Sequence, residues 1–136
     1  MSPAPVGYSG KRLIEKLGLK PGQTLSAVHA PPHYPELVDP LPDGARLVEG
    51  LDPDAAILHL FVETRAHLEA SVRAVVEALA PGAALWISWP KKSSKLFVDL
   101  TEDGVRAVLL PTGLVDVKVA AVDEDWSGLK FLWRRK

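Results

Sequence analysis

The sequence contains no cysteine. This absence excludes disulfide bonds, thiolate metal sites and cysteine nucleophiles together, because each of them needs a Cys sulfur. It also fits a reducing compartment, and we expect a cytoplasmic location. The rest of the composition, with 47% hydrophobic and 24% charged residues, is that of a soluble globular protein.

Long apolar runs and a strong charge of either sign are also absent. No stretch reaches the roughly 20 apolar residues of a transmembrane helix, and residues 1–8 have neither the basic nor the apolar part of a signal peptide. The formal net charge is −1, which gives no general attraction to nucleic acid or anionic lipid. We therefore expect neither as a partner, and the sequence identifies no protein partner.

The chain of 136 residues has the length of one domain. Residues 1–8 contain three Pro or Gly residues and are predicted to form an irregular N-terminal segment. Residues 9–136 are predicted to form a single α/β domain that begins with a short helix capped by Ser9.

The middle of the chain alternates strands and helices. Residues 55–62 are a nearly continuous apolar run, typical of a strand covered on both faces. Residues 64–79 carry apolar side chains at helical spacing, and a second apolar strand begins at Leu85. This unit predicts two parallel strands joined by a right-handed crossover. Two further strands, over residues 24–29 and 45–48, precede it.

The end of the chain predicts an antiparallel hairpin. Val115, Val117 and Val119 alternate with other residues, an acidic turn over residues 123–128 follows, and a second alternating run returns through Phe131. Together these elements predict a three-layer sheet of about six strands, mostly parallel, with a C-terminal antiparallel hairpin.

The strand from Leu85 ends in a donor-rich loop. Pro90 stops the strand because it has no N–H for a sheet ladder, and three lysines and two serines fill residues 91–95. Ligands bind at the carboxyl edge of open α/β sheets, and ammonium and hydroxyl groups can hold phosphate or carboxylate. The alternative is a solvated loop without a ligand. If the loop binds, we expect a small anion at Lys91, Lys92 and Ser93.

Histidines lie at the same predicted edge. His29 and His33 follow the first strand but match no zinc-binding spacing, so we expect no metal. His59 lies within a strand and is expected to be a core histidine with hydrogen-bonded nitrogens. Ser88 lacks the glycines of a nucleophile elbow, so we assign no catalytic residue.

The order of elements resembles that of class I methyltransferases, a version of the Rossmann fold. Pro21-Gly22 leads into the first strand, Pro81-Gly82 leads into the strand at Leu85, and Glu49 closes the second strand. The resemblance implies that residues 9–136 form a single Rossmann-like α/β domain with the strand order 2-1-3-4-6-5. It also implies that Glu49 faces ribose hydroxyls of a bound cofactor. One helix–strand pair of that fold is missing before residue 55.

The turn after the first strand departs from the methyltransferase pattern. Methyltransferases place glycines there because S-adenosylmethionine lies against bare backbone. This chain has Ala30-Pro31-Pro32-His33-Tyr34 instead. Two prolines remove N–H donors and add bulk, so we predict no S-adenosylmethionine binding and assign no cofactor.

The whole chain is also similar to a bacterial domain-of-unknown-function family, number three-zero-five-two. The residues that carry this resemblance are Trp89-Pro90-Lys91, Gly113-Leu114-Val115 and Asp125-Trp126-Ser127-Gly128. The resemblance implies a bacterial protein with this fold and brings no established activity.

The leading interpretation is a non-catalytic small-ligand-binding or protein-interaction module on a degenerate methyltransferase scaffold. One alternative is an enzyme for a small anionic substrate, with a lysine holding the anion and His29 or His33 as acid–base group. Another is an atypical S-adenosylmethionine-dependent methyltransferase. The candidate ligand-binding residues are His29, His33, Tyr34, Glu49, Trp89, Lys91, Lys92 and Ser93.

Overall fold

The computed structural model describes residues 12–134. The irregular segment predicted over residues 1–8 and the cap predicted at Ser9 lie outside the described residues. The helices are α1 (Leu13–Leu17), α2 (Tyr34–Leu37), α3 (Arg65–Ala78) and α4 (Glu102–Leu109), which a short 3₁₀ turn over Leu110–Thr112 follows. The strands are β1 (Thr24–Val28), β2 (Arg46–Glu49), β3 (Ile57–Phe61), β4 (Ala84–Pro90), β5 (Leu114–Ala121) and β6 (Trp126–Trp133).

The six strands form one sheet in the order β2-β1-β3-β4-β6-β5, which confirms the predicted order. β2, β1, β3 and β4 are mutually parallel, and β6 runs antiparallel to both β4 and β5. The carboxyl ends of the four parallel strands therefore meet at one edge, and the turn between β5 and β6 reaches the same edge.

The strands β3 and β4 follow one another through α3 and pair in parallel, as predicted. Every residue of β3 and β4 is buried, as expected for strands covered on both faces. The Thr64 hydroxyl accepts a hydrogen bond from the amide of His67 at 3.0 Å and so caps the first turn of α3. β2 and β3 are joined by a loop without a helix, in agreement with the missing helix–strand pair.

Helices cover both faces of the sheet. On one face α3 and α4 pack on Leu85, Ile87 and Trp89 of β4. On the other face α1 and α2 pack on a second buried cluster that includes Trp86 and Phe61. The two tryptophans of β4 therefore lie in opposite cores, as the two-residue period of a strand requires, and the layers are helix, sheet and helix.

Packing in the hairpin explains why residue 128 is a glycine. Gly128 lies opposite Ser88 in the β4–β6 register, and a Cβ atom at Gly128 would lie 3.1 Å from Cε3 of Trp86 and 3.3 Å from Cγ2 of Val122. The bare backbone of Gly128 makes room for the Trp86 ring, which is fully buried.

None of the helices within residues 12–134 is long and apolar enough to cross a membrane.

Candidate functional site

The turn after β1 (residues 29–33, the β1 loop) has an unusual backbone. His29 has a positive φ of 58°, a left-handed conformation that non-glycine residues adopt rarely and often near functional sites. Two prolines follow, and the amide of Tyr34 then donates to the carbonyl of Pro31 at 2.9 Å as α2 begins. The loop is stiff because each proline fixes its own φ.

A first cleft, the Glu49 cleft, lies between the β1 loop and the end of β2. It has a volume of about 260 Å³. Ser26 holds the loop after β2 against β1, since its hydroxyl donates to the carbonyl of Gly50 and accepts from the amide of Asp52 at 3.0 Å. The lining residues are Ala27, His29, Ala30, Pro31, Pro32, Tyr34, Pro35, Leu47, Glu49 and Gly50. The cleft combines apolar side chains with the exposed carboxylate of Glu49.

A second cleft, the Trp126 cleft, lies on the other side of the β1 loop and has a volume of about 360 Å³. Its lining residues are His29, Pro31, Pro32, Phe61, Glu63, His67, Leu96 and Trp126. The rings of Phe61 and Trp126 meet edge to face with centroids 5.0 Å apart. This cleft again combines an apolar wall with one carboxylate, that of Glu63.

Two histidines meet at the Trp126 cleft. The rings of His29 and His67 have centroids 4.7 Å apart, which places an imidazole pair beside Glu63. Within residues 12–134 no group of three or more histidine or acidic side chains has the geometry to hold a metal ion.

A buried polar chain underlies the Glu49 cleft. The Tyr34 hydroxyl lies 2.7 Å from Nδ1 of His59, and Nε2 of His59 lies 2.7 Å from the Ser88 hydroxyl. All three residues are at most 1% exposed. Burial lowers the pKa of His59 to about 3 and raises the pKa of Tyr34, so both side chains are neutral. His59 is the satisfied core histidine that the sequence predicts, and Ser88 is closed to any substrate.

The β1 loop is tied to the end of the hairpin. Nε2 of His33 lies 2.9 Å from Oδ2 of Asp123. The other carboxylate oxygen of Asp123 accepts from the amides of Asp125 at 2.8 Å and Trp126 at 2.9 Å. Asp123 therefore orders the hairpin turn and anchors His33 together, which connects two segments 90 residues apart in sequence.

The lysine loop (residues 91–95) is fixed to the same turn. The amide of Lys91 donates to the carbonyl of Asp125 at 2.8 Å, and the Ser94 hydroxyl donates to the Asp125 carboxylate at 2.8 Å. Lys92 and Ser93 are exposed. Lys91, Lys92 and Ser93 line neither of the two clefts.

The structure thus brings together part of the predicted site. His29, Tyr34 and Glu49 line the Glu49 cleft, and His33 stands beside it on Asp123. Trp89 is not an apolar wall of a cleft, because its side chain is 4% exposed and packs in the core under α3 and α4. The lysine loop lies apart, since the hairpin turn holds it.

The predicted site did not include Glu63, His67 or Trp126, which line the Trp126 cleft. Glu63 lies just after the carboxyl end of β3, and Glu49 lies at the carboxyl end of β2. This similar position could have identified Glu63 as a candidate site residue. His67 lies in the first turn of α3 and is half-buried against His29, a contact that its position in the sequence does not reveal. Trp126 is 6% exposed and covers the end of the hairpin, and it also forms a wall of the cleft.

Comparison with known proteins identifies the fold of the chain. No family model matches the chain, and no curated protein matches it. Solved structures do match over most of the chain. The SAM dependent methyltransferase of Aquifex aeolicus is 13% identical with a TM-score of 0.59, and the match covers 92% of this chain and 89% of that one.

Two further structures agree. The ribosomal protein L11 methylase of Lactobacillus delbrueckii subsp. bulgaricus is 10% identical with a TM-score of 0.62, covering 90% of this chain and 75% of that one. A protein of the NADB-Rossmann superfamily from Streptococcus agalactiae is 9% identical with a TM-score of 0.60, covering 96% and 72%. The chain therefore has the Rossmann-like fold of class I methyltransferases, with its C-terminal strands antiparallel.

Proposed function

We propose that this protein is a non-catalytic domain that binds a small organic ligand in the two clefts beside the β1 loop. The observation that carries the proposal is that His29, Pro31 and Pro32 line both clefts. A ligand lying across this loop would fill both clefts at the carboxyl edge of the parallel strands, where α/β sheets bind ligands.

The residues of the β1 loop do not fit S-adenosylmethionine in the usual manner. Pro31 and Pro32 supply no N–H groups, and their rings line the cleft where methyltransferases offer glycine backbone. Glu49 keeps its place at the end of β2 and can still accept hydrogen bonds from hydroxyl groups. The proposed ligand therefore carries hydroxyl groups that bind Glu49 and an apolar part that contacts the prolines.

Charge also informs the choice of ligand. The carboxylates of Glu49 and Glu63 line the clefts, whereas the lysine loop lies outside them. This arrangement supports a neutral, hydroxyl-bearing ligand before a small anion. The alternative is an enzyme that acts on a small anionic substrate, with His29 as the acid–base group because it lines both clefts. The small acids in the screen described below test this alternative.

An atypical methyltransferase is the other candidate, and the shared fold together with Glu49 in a cleft supports it. It requires the cofactor to bind in a pose that avoids the two prolines. Binding of S-adenosylmethionine separates this candidate from the leading proposal.

We also propose that the chain belongs to the domain-of-unknown-function family three-zero-five-two. Two of the three segments behind this resemblance contact each other. Pro90 pairs with Trp126 and Trp89 pairs with Ser127 in the β4–β6 register, and the amide of Lys91 donates to Asp125. Residues shared by the family would then hold the β4 end and the hairpin together.

The experiment is a thermal-shift screen with nucleosides, polyols, small acids and S-adenosylmethionine, followed by calorimetry of the best compound. A ligand at about 100 times its dissociation constant raises stability by about 2.7 kcal/mol. Glu49→Gln keeps the size of the side chain and removes its charge, and we expect it to weaken binding about tenfold.

The matched control is Glu36→Gln, because Glu36 is exposed on α2 and lines neither cleft. The proposal predicts that this variant binds like the parent. A best compound that binds equally well to the parent and to Glu49→Gln would remove Glu49 from the site.

A further inference from the structure

Three lysines from separate elements converge at one corner of the fold, which we name the lysine corner. Lys16 lies on α1, Lys91 follows β4, and Lys118 lies on β5. Nζ of Lys118 donates to the carbonyl of Lys16 at 3.2 Å. Nζ of Lys16 donates to the carbonyl of Ala121 at 3.1 Å. These reciprocal bonds hold α1 against β5 and place cationic side chains together.

The electrostatics of the corner reflect this crowding. Lys16 is 5% exposed. Its burial lowers its pKa, and the charges of Lys91 and Lys118 lower the pKa further. Pro90 and Ala121 pair with the neighbouring residues Trp126 and Ser127 of β6, so Lys91 follows β4 at the end of the sheet where Lys16 meets Ala121. Like charges that lie close together repel one another, so the corner favours a bound anion.

Within residues 12–134, the ion pairs are formed by arginines and one histidine, and neither Lys91 nor Lys118 takes part in them. The nearby carboxylates of the hairpin turn already have partners. Asp123 accepts from its own turn and His33, and Asp125 accepts from Ser94.

We propose that the lysine corner binds the phosphate group of a phosphate monoester free in solution. A phosphate dianion matches several ammonium groups because lysines act as point charges with three donors each. Lys118 gives one donor to the Lys16 carbonyl and keeps others for an anion. This site uses none of the residues that line the Glu49 and Trp126 clefts. The two proposals can therefore be tested separately.

The test is calorimetry with glycerol phosphate at constant ionic strength. We expect saturable binding by the parent, and a loss of about tenfold or more in Lys91→Ala and in Lys118→Ala, since each removes a hydrogen bond to a charged group. Lys118→Arg keeps the charge and separates loss of the anion site from loss of the α1–β5 contact. We expect it to retain most of the affinity.

The matched control is Lys92→Ala, which removes an exposed lysine next to Lys91 and should bind like the parent. Equal binding by the parent, Lys91→Ala and Lys118→Ala would overturn the proposal, and so would the absence of saturable binding. Co-sedimentation with phosphatidylinositol phosphate vesicles, without binding of glycerol phosphate, would point to a lipid surface and contradict a site for a free ligand. Glu49→Gln should leave glycerol phosphate binding unchanged, which separates this test from that of the clefts.

Discussion

The Tyr34 hydroxyl lies 2.7 Å from Nδ1 of His59, and this contact joins α2 to the central strand β3. Because Tyr34 also lines the Glu49 cleft, the position of the cleft wall is set by a buried hydrogen bond in the core. Tyr34 therefore belongs to both the cleft and the core. Changes to the hydrogen-bonded residues Tyr34, His59 and Ser88 are expected to affect both.

Tyr34→Phe tests this coupling. The variant keeps the ring but leaves Nδ1 of His59 without the hydroxyl, and loss of a buried partner costs about 1–3 kcal/mol. We expect the free energy of unfolding in urea to fall by this amount. Ser88→Ala removes the partner of the other ring nitrogen, and the double variant should deviate from additivity by about 0.5 kcal/mol or more. Parent-like stability of Tyr34→Phe would show that the contact contributes nothing.

The stability of the protein should fall as the pH falls from about 6.5 to about 3. Burial lowers the pKa of His59 from 6.5 to about 3. Below pH 6.5, His59 is therefore protonated in the unfolded chain and stays neutral in the folded chain. Unfolding is then favoured by up to about 1.4 kcal/mol per pH unit from this residue. Urea unfolding of the parent and of His59→Gln between pH 7 and pH 4 measures the difference. Identical pH slopes for the two proteins would mean that His59 does not cause the loss.

Gly128→Ala should destabilise the hairpin. The added Cβ would lie 3.1 Å from the buried ring of Trp86, and overpacking of this kind costs about 1–3 kcal/mol. The matched control is Gly104→Ala in α4, where the nearest atoms lie at 3.4 Å and alanine is the better helix former by about 1 kcal/mol. Thermal melting should lower the Tm of the first variant and leave that of the second unchanged or higher. The opposite ranking would contradict the packing described for Trp86.

The periodic parts of this fold could be predicted from the sequence. The apolar run of β3, the helical spacing of α3 and the alternation of β5 fix the faces of these elements, and the resemblance to class I methyltransferases implied the strand order. Glu49 and His29 could be placed at the edge for the same reason, because a residue at a strand end stays at that end.

The lysine loop could not be placed in the same way. Its course after Pro90 depends on the amide of Lys91 bonding to Asp125 and on Ser94 bonding to the same residue, contacts with a turn that is distant in sequence. His33 likewise depends on Asp123. No local pattern carries such information, and an irregular segment has no periodicity to reveal which side chains face a cleft.

S-adenosylmethionine is expected not to bind. Pro31 and Pro32 occupy the turn where the cofactor needs backbone donors, so calorimetry should give no saturable heat under conditions in which a functional methyltransferase does. Micromolar binding that Glu49→Gln weakens would replace the leading proposal with the atypical methyltransferase.

The most direct test of ligand binding beside the β1 loop is a ¹⁵N–¹H NMR titration with the compound that raises the Tm most in the screen. The account predicts that the perturbed amides cluster around both clefts, at His29, Gly50, Glu63 and Trp126, and that the amides of Lys92 and Ser93 stay in place. Perturbations confined to other surfaces, with the amides of His29 and Gly50 unmoved at saturation, would contradict it.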